Sequence, residues 1–415
     1  MNLKQRAEQI KNENQAGANT ALRVGGLLVD MISEQVVKVD KLQDFPSANS
    51  GVITLEAGKT YVVTTEVDLL GARLVTGGIC NLVGLSSETS FLTSTGLGEG
   101  VPLLTSIYTI VIERISFHDV DTCISIDGNT NLVALDWKAV NFIDIPKVWN
   151  INSCDNFIFD TGAFLGSQGA KFTGTIGTVA LNNSLFSGIG TAGNIIELDA
   201  DCVITRRFRV IYSSVVAFGE TVGIHVNESS TIPVEAYILD TVNFSGGSTY
   251  LNGVTSTDNK ALFINCVGIT NTAVNGQMYM TDNETETTIL NTTDFYKVAG
   301  TTIASADNSK YTMTNNRLTN NAIIERKYLV QATLSFTAGA NNVCQFGFLD
   351  SKLDVIREPS KTKSTANAGG RAENVTLQCV VNHSDGDYIE LHVRNTSATT
   401  NVTVTDMNVI ITEIK

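Results

Sequence analysis

The sequence carries little charge, and what charge it has is mostly negative. Only 17% of its 415 residues are charged, and 42 acidic residues against 28 basic ones give a formal net charge of −14. This composition excludes a general nucleic-acid-binding protein, because the cations needed to neutralise a run of phosphates are missing. Glycine and asparagine occupy much of the remaining sequence, which is typical of β structure with many turns.

Metal-binding cysteine patterns and long hydrophobic runs are also missing. The seven cysteines form no Cys-x-x-Cys pair and no cluster with histidine, which argues against a zinc site. Their odd number argues against a secreted disulfide framework, so we expect buried, reduced thiols. The N-terminus is charged, unlike a signal peptide, and the longest apolar run, Val101–Ile112, is too short to cross a bilayer. We therefore expect a soluble chain, made in a cytoplasm and not inserted in a membrane.

The negative charge is concentrated in the middle of the chain. Residues 1–44 carry six basic and six acidic residues, residues 45–309 carry 11 and 26, and residues 310–415 carry 11 and 10. A chain of this length is expected to hold two to four domains at about 150 residues each. We therefore predict three parts with these boundaries: an N-terminal helical arm, an acidic middle region and a C-terminal domain.

Apolar residues recur at helical spacing in the N-terminal arm. After a break at Gly17 they predict a helix of about 18 residues that ends near Val36 and is capped by Asn19 or Thr20. This stripe is too apolar for a helix without a partner, which is either its own chain or copies of itself or a larger assembly. The residues predicted to make this contact are Leu22, Val24, Leu27, Leu28, Met31 and Ile32.

The stretch from Gly17 to Ile32 resembles a short N-terminal module of bacteriophage tail-fibre and other appendage proteins, including those of phages that infect Bacteroidetes. The similarity covers about 40 residues. It implies an arm that attaches the protein to the virion and has no enzymatic meaning.

A short pattern repeats through the middle region: a phenylalanine close to an aspartate or glycine. The phenylalanines are Phe117, Phe142, Phe164, Phe186, Phe218 and Phe244, at intervals of 25, 22, 22, 32 and 26 residues. Leucine-rich repeats would need a Leu/Asn consensus, and propeller blades would need about 40 residues or more. The pattern therefore predicts a right-handed parallel β-helix with an internal phenylalanine ladder. The longer interval predicts a protruding loop around Arg206–Arg209.

The segment from Gly51 to Leu69 looks like the first coil of phage tailspike-type β-helices. A first coil must be covered, because an open end presents unpaired strand edges. Residues 1–50 are available for that cap.

Two aspartates are weak candidates for catalysis. Asp119 and Asp144 follow the repeating phenylalanines on successive coils, and glycoside hydrolysis needs two carboxyls separated by about 5 to 9.5 Å. The alternative, which we favour, is that they form turns, since glycine takes the same place in later coils. Asp121 is close by. No Walker, Gly-x-Gly-x-x-Gly or Gly-x-Ser-x-Gly motif stands in a usable context, so we expect no cofactor.

Histidines and tryptophans offer little further chemistry. His118 and His225 have no Cys or His neighbour at metal-ligand spacing, and we expect surface or turn positions for them. Trp137 and Trp149 could stack on sugars, but Trp137 alternates in phase with its apolar neighbours, which favours burial.

The C-terminal region alternates apolar and polar residues cleanly, for example in Tyr328–Phe336 and Val375–Val381, and predicts an antiparallel two-sheet sandwich. The segments Gly386–Asn395 and Asn401–Ile414 look like the end of a tumour-necrosis-factor/C1q-like jelly roll. This resemblance covers about 90 residues and implies a compact homotrimer. The polar segment Ser351–Arg371 predicts a long exposed loop.

Three functions remain open. The first is a non-enzymatic virion appendage, a trimeric tail fibre or spike on the virion surface, whose partners are other virion proteins and a host-surface glycan or protein receptor. The second is a tailspike that depolymerises polysaccharide. The third is a head fibre or a cellular β-helix adhesin. The sequence favours the first and predicts no enzymatic activity.

Overall fold

The computed structural model of the protein describes residues 35–129, 133–247, 249–306, 308–322 and 325–414. The predicted attachment residues, from Leu22 to Ile32, lie outside the described residues. The chain divides into two compact units between Asn271 and Thr272. No helix among the described residues is both long and apolar enough to span a membrane.

The first unit, here called the solenoid, is built from short strands, preceded by a 3-10 helix at Leu42–Asp44 that follows β1. In chain order the strands are β1 (Val36–Val39), β2 (Val52–Leu55), β3 (Thr60–Val63), β4 (Glu66–Asp68), β5 (Arg73–Thr76), β6 (Cys80–Gly84), β7 (Phe91–Thr93), β8 (Pro102–Ser106), β9 (Ile110–Glu113), β10 (Ser116–His118), β11 (Thr122–Asp127), β12 (Ala134–Lys138), β13 (Asn141–Ile143), β14 (Lys147–Asp160), β15 (Ala163–Leu165), β16 (Ala170–Asn182), β17 (Leu185–Ser187), β18 (Gly193–Leu198), β19 (Val203–Ile211), β20 (Ser214–Val216), β21 (Thr221–Val226), β22 (Tyr237–Asp240), β23 (Asn243–Ser245), β24 (Leu251–Asn252) and β25 (Ala261–Ile264).

The solenoid winds through about nine coils, and each full coil contributes one strand to each of three parallel sheets. The first sheet runs from β2 to β24, the second from β1 to β25, and the third from β4 to β23. The long strands β14 and β16 take part in both the first and the second sheet. The parallel β-helix predicted from the repeat is therefore confirmed. Side chains alternate between the core and the surface along each strand, as strand geometry requires.

An apolar ladder runs through the third sheet. Its members share one register position and are almost fully buried: Val67, Leu92, Phe117, Phe142, Phe164, Phe186, Val215 and Phe244. Five of the six predicted phenylalanines are therefore correctly placed. The prediction for Phe218 is wrong: this side chain is 45% exposed, and Val215 takes its place between Phe186 and Phe244. Both of these coils are then 29 residues long, and the irregular interval of 32 disappears.

Two further predictions for the solenoid are wrong. The segment Arg206–Arg209 is part of strand β19, where Phe208 is buried and stacks on Tyr237 at 5.0 Å, so it forms no protruding loop. The helical stripe does not reach Val36, because Val36–Val39 is a strand that pairs with β3. Residues 36–44 therefore belong to the solenoid, which moves the predicted boundary between residues 44 and 45.

The corner between the second and third sheets consists of one left-handed residue in each of seven successive coils. These residues have φ between 49° and 58°, and none is glycine: Arg114, Ala139, Thr161, Asn183, Tyr212, Thr241 and Asn265. The backbone N–H of Arg114 donates to Lys138 O at 2.8 Å, and that of Tyr212 donates to Asp240 O at 3.0 Å. These bonds to the next coil help hold a conformation that L-residues ordinarily avoid.

The second unit is a sandwich of two antiparallel sheets. Its strands are β26 (Asn275–Met280), β27 (Tyr296–Lys297), β28 (Ile303–Ala304), β29 (Tyr311–Met313), β30 (Arg317–Asn320), β31 (Arg326–Thr337), β32 (Val343–Asp350), β33 (Val355–Ile356), β34 (Thr362–Thr365), β35 (Glu373–His383), β36 (Tyr388–Asn395) and β37 (Thr403–Glu413). A 3-10 helix, Glu358–Ser360, lies between β33 and β34. The predicted long loop at 351–371 thus contains two short strands and this helix.

The strand order of the sandwich is that of a jelly roll. Sheet I reads β28-β26-β37-β31-β35, and sheet II reads β29-β30-β36-β32, with β34 also paired to β32. Counting the eight main strands along the chain, the two sheets read 1-8-3-6 and 2-7-4-5, which is the order of two interlocked Greek keys. The predicted jelly roll is confirmed, but its predicted boundary at residue 310 is wrong. Strand β26 pairs along its whole length with β37 and must therefore belong to this unit.

The cysteines are as expected from the sequence. All seven are buried and unpaired, and they are Cys80, Cys123, Cys154, Cys202, Cys266, Cys344 and Cys379. Burial raises the pKa of these thiols, for example to about 11 at Cys80 and about 12 at Cys154. They therefore act as small apolar side chains of the core.

Candidate functional surfaces

Asp119 and Asp144 occupy matching corner positions of the solenoid. Each comes directly after a strand of the third sheet in which Phe117 pairs with Phe142. Both have left-handed backbones, with φ of 55° and 53°, and the next coil has Gly166 at the same place with φ of 59°. Aspartate tolerates this conformation better than most residues do, and glycine adopts it freely. The geometry accounts for both aspartates as turn residues.

The contacts of the neighbouring carboxylates are also local. Asp119 Oδ2 lies 2.8 Å from His118 Nδ1. Asp121 Oδ2 accepts hydrogen bonds from the Gly100 backbone N–H at 2.8 Å and from Lys147 Nζ at 3.1 Å. Burial opposes ionisation of Asp121, but these hydrogen bonds outweigh it and lower its pKa. A general acid for glycoside hydrolysis needs a raised pKa, so this arrangement favours support of the turns over proton donation.

The tryptophans are unavailable for stacking on a sugar. Trp137 and Trp149 are at most 1% exposed and pack edge to face at 5.6 Å inside the solenoid. The predicted burial of Trp137 is confirmed. His225 lies in the first sheet next to Glu197 of the preceding coil, and it has a buried Nδ1 atom. No group of three His, Cys, Asp or Glu residues in the described ranges is arranged to hold a metal ion.

The outer side of sheet I carries a large area without charge. Alternation along the strands and the pairing register place twelve residues there, in three rows of four across β26, β37, β31 and β35. We call these twelve the uncharged face: Asn275, Thr412, Leu329 and Val380; Gln277, Ile410, Gln331 and Gln378; Tyr279, Asn408, Thr333 and Thr376. Charged residues appear at its two ends, where Lys327 precedes the first row and Asp406 follows the last.

The outer side of sheet II is different, and we call its cluster the charged face: Lys297, Arg317, Tyr388, Glu390, His392 and Arg394. The Glu390 side chain is only 4% exposed, and its Oε1 lies 2.7 Å from Lys297 Nζ and 2.8 Å from the Arg317 guanidinium. Its Oε2 lies 3.1 Å from His392 Nε2. Although burial opposes this, these hydrogen bonds hold the pKa of Glu390 at about 2.

The other cations of the charged face also have partners within the chain. The Arg317 guanidinium lies 3.5 Å above the centre of the Tyr388 ring. Arg394 donates twice to Gln345 Oε1, at 2.7 and 3.0 Å, and once to Thr293 O at 2.8 Å. Sheet II therefore satisfies its polar groups internally.

The uncharged face has the composition of a protein interface. Charged residues are depleted at the centres of interfaces, since their desolvation is costly, and they collect at the rims. Val380 is 41% exposed and Ile410 is 38% exposed, which is unfavourable unless something covers them. Sequence reasoning missed this face, although alternate positions of Asn374–Asn382 are uncharged polar residues or Val380 and give the signal.

Comparisons with known proteins add similarity of part of the fold. No protein-family model and no curated protein matches the chain. Among solved structures, the chain is similar to Eiger TNF from S. frugiperda, with a TM-score of 0.26, 8% identity, and coverage of 34% of this chain and 93% of that chain. Murine APRIL at pH 5.0 gives a TM-score of 0.25, 7% identity, and coverage of 33% and 98%. The jelly-roll assignment rests on the strand order and not on these similarities.

Proposed function

We propose that this protein is a non-enzymatic structural appendage of a bacteriophage, a homotrimeric tail fibre or spike on the virion surface. The observation that carries this proposal is the combination, in one chain, of a long β-solenoid and a jelly roll that has one outer face without charge. A solenoid supplies length and stiffness, and a jelly roll with such a face supplies self-association.

The solenoid is suited to be a spacer. Each coil contacts mainly its neighbours, and the apolar ladder from Val67 to Phe244 continues through eight strands of the third sheet. Stability in such an array comes from the coil-to-coil interfaces, so the structure resists bending over its whole length. The corner aspartates Asp119 and Asp144 contribute to this role as turn residues.

The jelly roll is suited to close a trimer. The uncharged face can be buried against other copies without desolvating an ion, and its exposed Val380 and Ile410 gain from leaving water. Homo-oligomers close by point symmetry, which allows three copies of one face to meet around an axis. The trimer also agrees with the resemblance to tumour-necrosis-factor/C1q-like domains.

Attachment to the particle is assigned to the N-terminal arm, whose residues Gly17 to Ile32 resemble the phage appendage module. The remaining surface of the solenoid and the jelly roll is then available for a receptor on the host surface, a glycan or a protein. Other virion proteins are the partners of the arm.

The solution mass of the purified protein tests the trimer. One chain has a mass of 44.5 kDa, and we expect three times that value by light scattering. A mass near that of one chain would contradict the proposal. Electron microscopy of phage particles labelled with an antibody against residues 325–414 tests the location. We expect label on an appendage, and unlabelled particles would contradict the virion assignment.

Depolymerase activity is tested separately. The purified protein is incubated with host surface polysaccharide, and we expect no shortening of the chains. Shortening that is lost in the double variant Asp119→Ala, Asp144→Ala would show that these residues are catalytic and would replace the structural proposal with the depolymerase.

A further inference from the structure

A second feature of the jelly roll has the form of a ligand pocket. It is an open cavity of about 400 Å³ at the edge of sheet I, between the end of β35 and the turn that follows β32. Its lining includes Glu325, Lys327, Asp350, Arg357 and Val380. Pockets of this size accept one small ring compound and not a folded segment. The pocket shares only Val380 with the uncharged face, so the two surfaces are separate features.

A buried carboxylate lies at the base of this pocket. The Asp350 side chain is 2% exposed, and its Oδ1 accepts the backbone N–H of Lys352 at 3.1 Å and contacts Nε2 of the fully buried His383 at 3.1 Å. Burial opposes ionisation, but the contact with His383 outweighs it and lowers the pKa of Asp350. The carboxylate is therefore ionised at neutral pH and acts only as an acceptor.

The second oxygen of Asp350 is less well satisfied. The printed neighbour of Oδ2 is the Arg357 Nη1 atom at 3.6 Å, which is an ion pair but too long for a hydrogen bond. A hydroxyl group in the pocket would supply the missing donor. Since the aspartate is rigidly held through its first oxygen, a hydroxyl could bind here without ordering a mobile side chain.

The pocket also has one positive charge to spare. Lys352 is paired with Glu325, and Arg357 faces Asp350. Lys327 is exposed and has no ion-pair partner among the described residues. The lining therefore has three cations against two carboxylates, with Lys327 as the uncompensated one, and an anionic group on a ligand would pair with it.

Apolar side chains complete the lining. Leu353 is 53% exposed and Val380 is 41% exposed, and both line the cavity. They offer a surface for the C–H face of a ring. A ligand that fits must thus carry a hydroxyl donor, a negative charge and one apolar face within the volume of a single ring.

We propose that this pocket binds one carboxylated sugar residue of a surface polysaccharide. The sugar carboxylate pairs with Lys327, a ring hydroxyl donates to Asp350, and the ring lies against Leu353 and Val380. This inference rests on the proposed role of the protein in host-surface recognition and names the class of receptor.

Calorimetric titration of the full-length protein tests the proposal. The probes are glucuronate, galacturonate and N-acetylneuraminate, with glucose as the neutral probe and N-acetylglutamate amide as the acidic peptide probe. We expect at least one acidic sugar to bind, and glucose to bind about tenfold more weakly, because a charge-assisted hydrogen bond contributes about 1.5 to 3 kcal/mol. Equal binding of glucose, or no binding of any acidic sugar, would overturn the proposal. So would equal or tighter binding of the peptide probe, which would assign the pocket to a protein receptor.

Two variants locate the site. Lys327→Ala removes an exposed side chain, leaves the core intact, and should weaken binding of the acidic sugar about tenfold. Asp350→Asn should abolish binding, and circular dichroism verifies that it folds. Lys363→Ala is the matched control, because Lys363 is an exposed lysine on strand β34 of sheet II. Unchanged binding by Lys327→Ala, or equal weakening by Lys363→Ala, would overturn the site.

The outcome is distinguishable from failure of the proposed function. The mass of the same samples is measured by light scattering. A trimer that binds no acidic sugar overturns this inference alone, whereas a monomer that binds the sugar overturns only the assembly.

Discussion

The two outer faces of the jelly roll are built from opposite materials. On sheet II the polar groups are charged, and each has a partner in its own chain: Glu390 is held by Lys297, Arg317 and His392, and Arg394 is held by Gln345. On sheet I three rows of residues have no charge at all. The first face is complete as it stands, whereas the second gains from being covered. The comparison shows that a charged surface can be the self-sufficient one.

The largest expected effect comes from placing a charge on the uncharged face. Thr333→Glu puts a carboxylate in its last row, beside Thr376 and Asn408, and we expect the trimer to dissociate because three like charges would have to be desolvated together. Light scattering should then give the mass of one chain. Thr319→Glu, on the outer side of sheet II, is the matched control and should leave the mass unchanged. Dissociation of both variants, or of neither, would remove the distinction between the faces.

The next effect is on stability. Glu390→Gln leaves Lys297 and Arg317 without their counter-charge, and we expect the jelly roll to lose about 3 kcal/mol at pH 7. Gln331→Ala, on the uncharged face, should change it by less than about 0.5 kcal/mol in a monomeric background such as Thr333→Glu. Calorimetry follows the jelly roll. Both tryptophans lie in the solenoid, so their fluorescence reports that unit as an internal control. A loss below about 1 kcal/mol in Glu390→Gln would show that the charged face is not self-stabilising.

Acid should erase the difference between Glu390→Gln and the wild type. The folded pKa of Glu390 is about 2, below its ordinary value of 4.5, so its contribution is present above pH 4.5 and is lost as the pH falls towards 2. We expect the difference in unfolding free energy to shrink steadily over this range in urea titrations. A difference that stays constant down to pH 2 would mean that the lost stability has another origin.

A smaller effect is expected at the edge of the charged face. Arg394→Lys keeps the charge but loses the two bonds to Gln345 and the position 4.7 Å above the Phe295 ring. We expect a loss of about 1 kcal/mol, because a lysine cannot reproduce the planar fork of arginine. Lys363→Arg, made at an exposed position, should change nothing. Equal stability of the two variants would show that charge alone matters on this face.

Much of the fold was predictable because it repeats. Phe117, Phe142, Phe164 and Phe186 mark one register position on successive coils, and the period of 22 to 25 residues leaves few architectures. The method failed where a smaller residue continued the ladder. Val215 fills the place between Phe186 and Phe244, and a search for aromatic residues selected the exposed Phe218 instead.

The start of the jelly roll was hidden for a different reason. Strand β26 is separated from its partner β37 by more than 120 residues, and a pairing of that kind leaves no local pattern. The uncharged face has the same difficulty, because its rows join four strands from distant parts of the chain. Asp350 and His383 likewise meet only through the sandwich, so neither attracted attention as part of a site.

The left-handed corner of the solenoid has a consequence for how this surface can diversify. Seven successive coils place one residue there, and Arg, Ala, Thr, Asn and Tyr all occur, so the backbone sets the corner and leaves the side chain open. Strand spacing puts these side chains about 4.8 Å apart in a row. The corner is therefore a ruled display line, on which each side chain can be exchanged without disturbing its neighbours. A lineage under pressure to change its contacts could rewrite it one rung at a time.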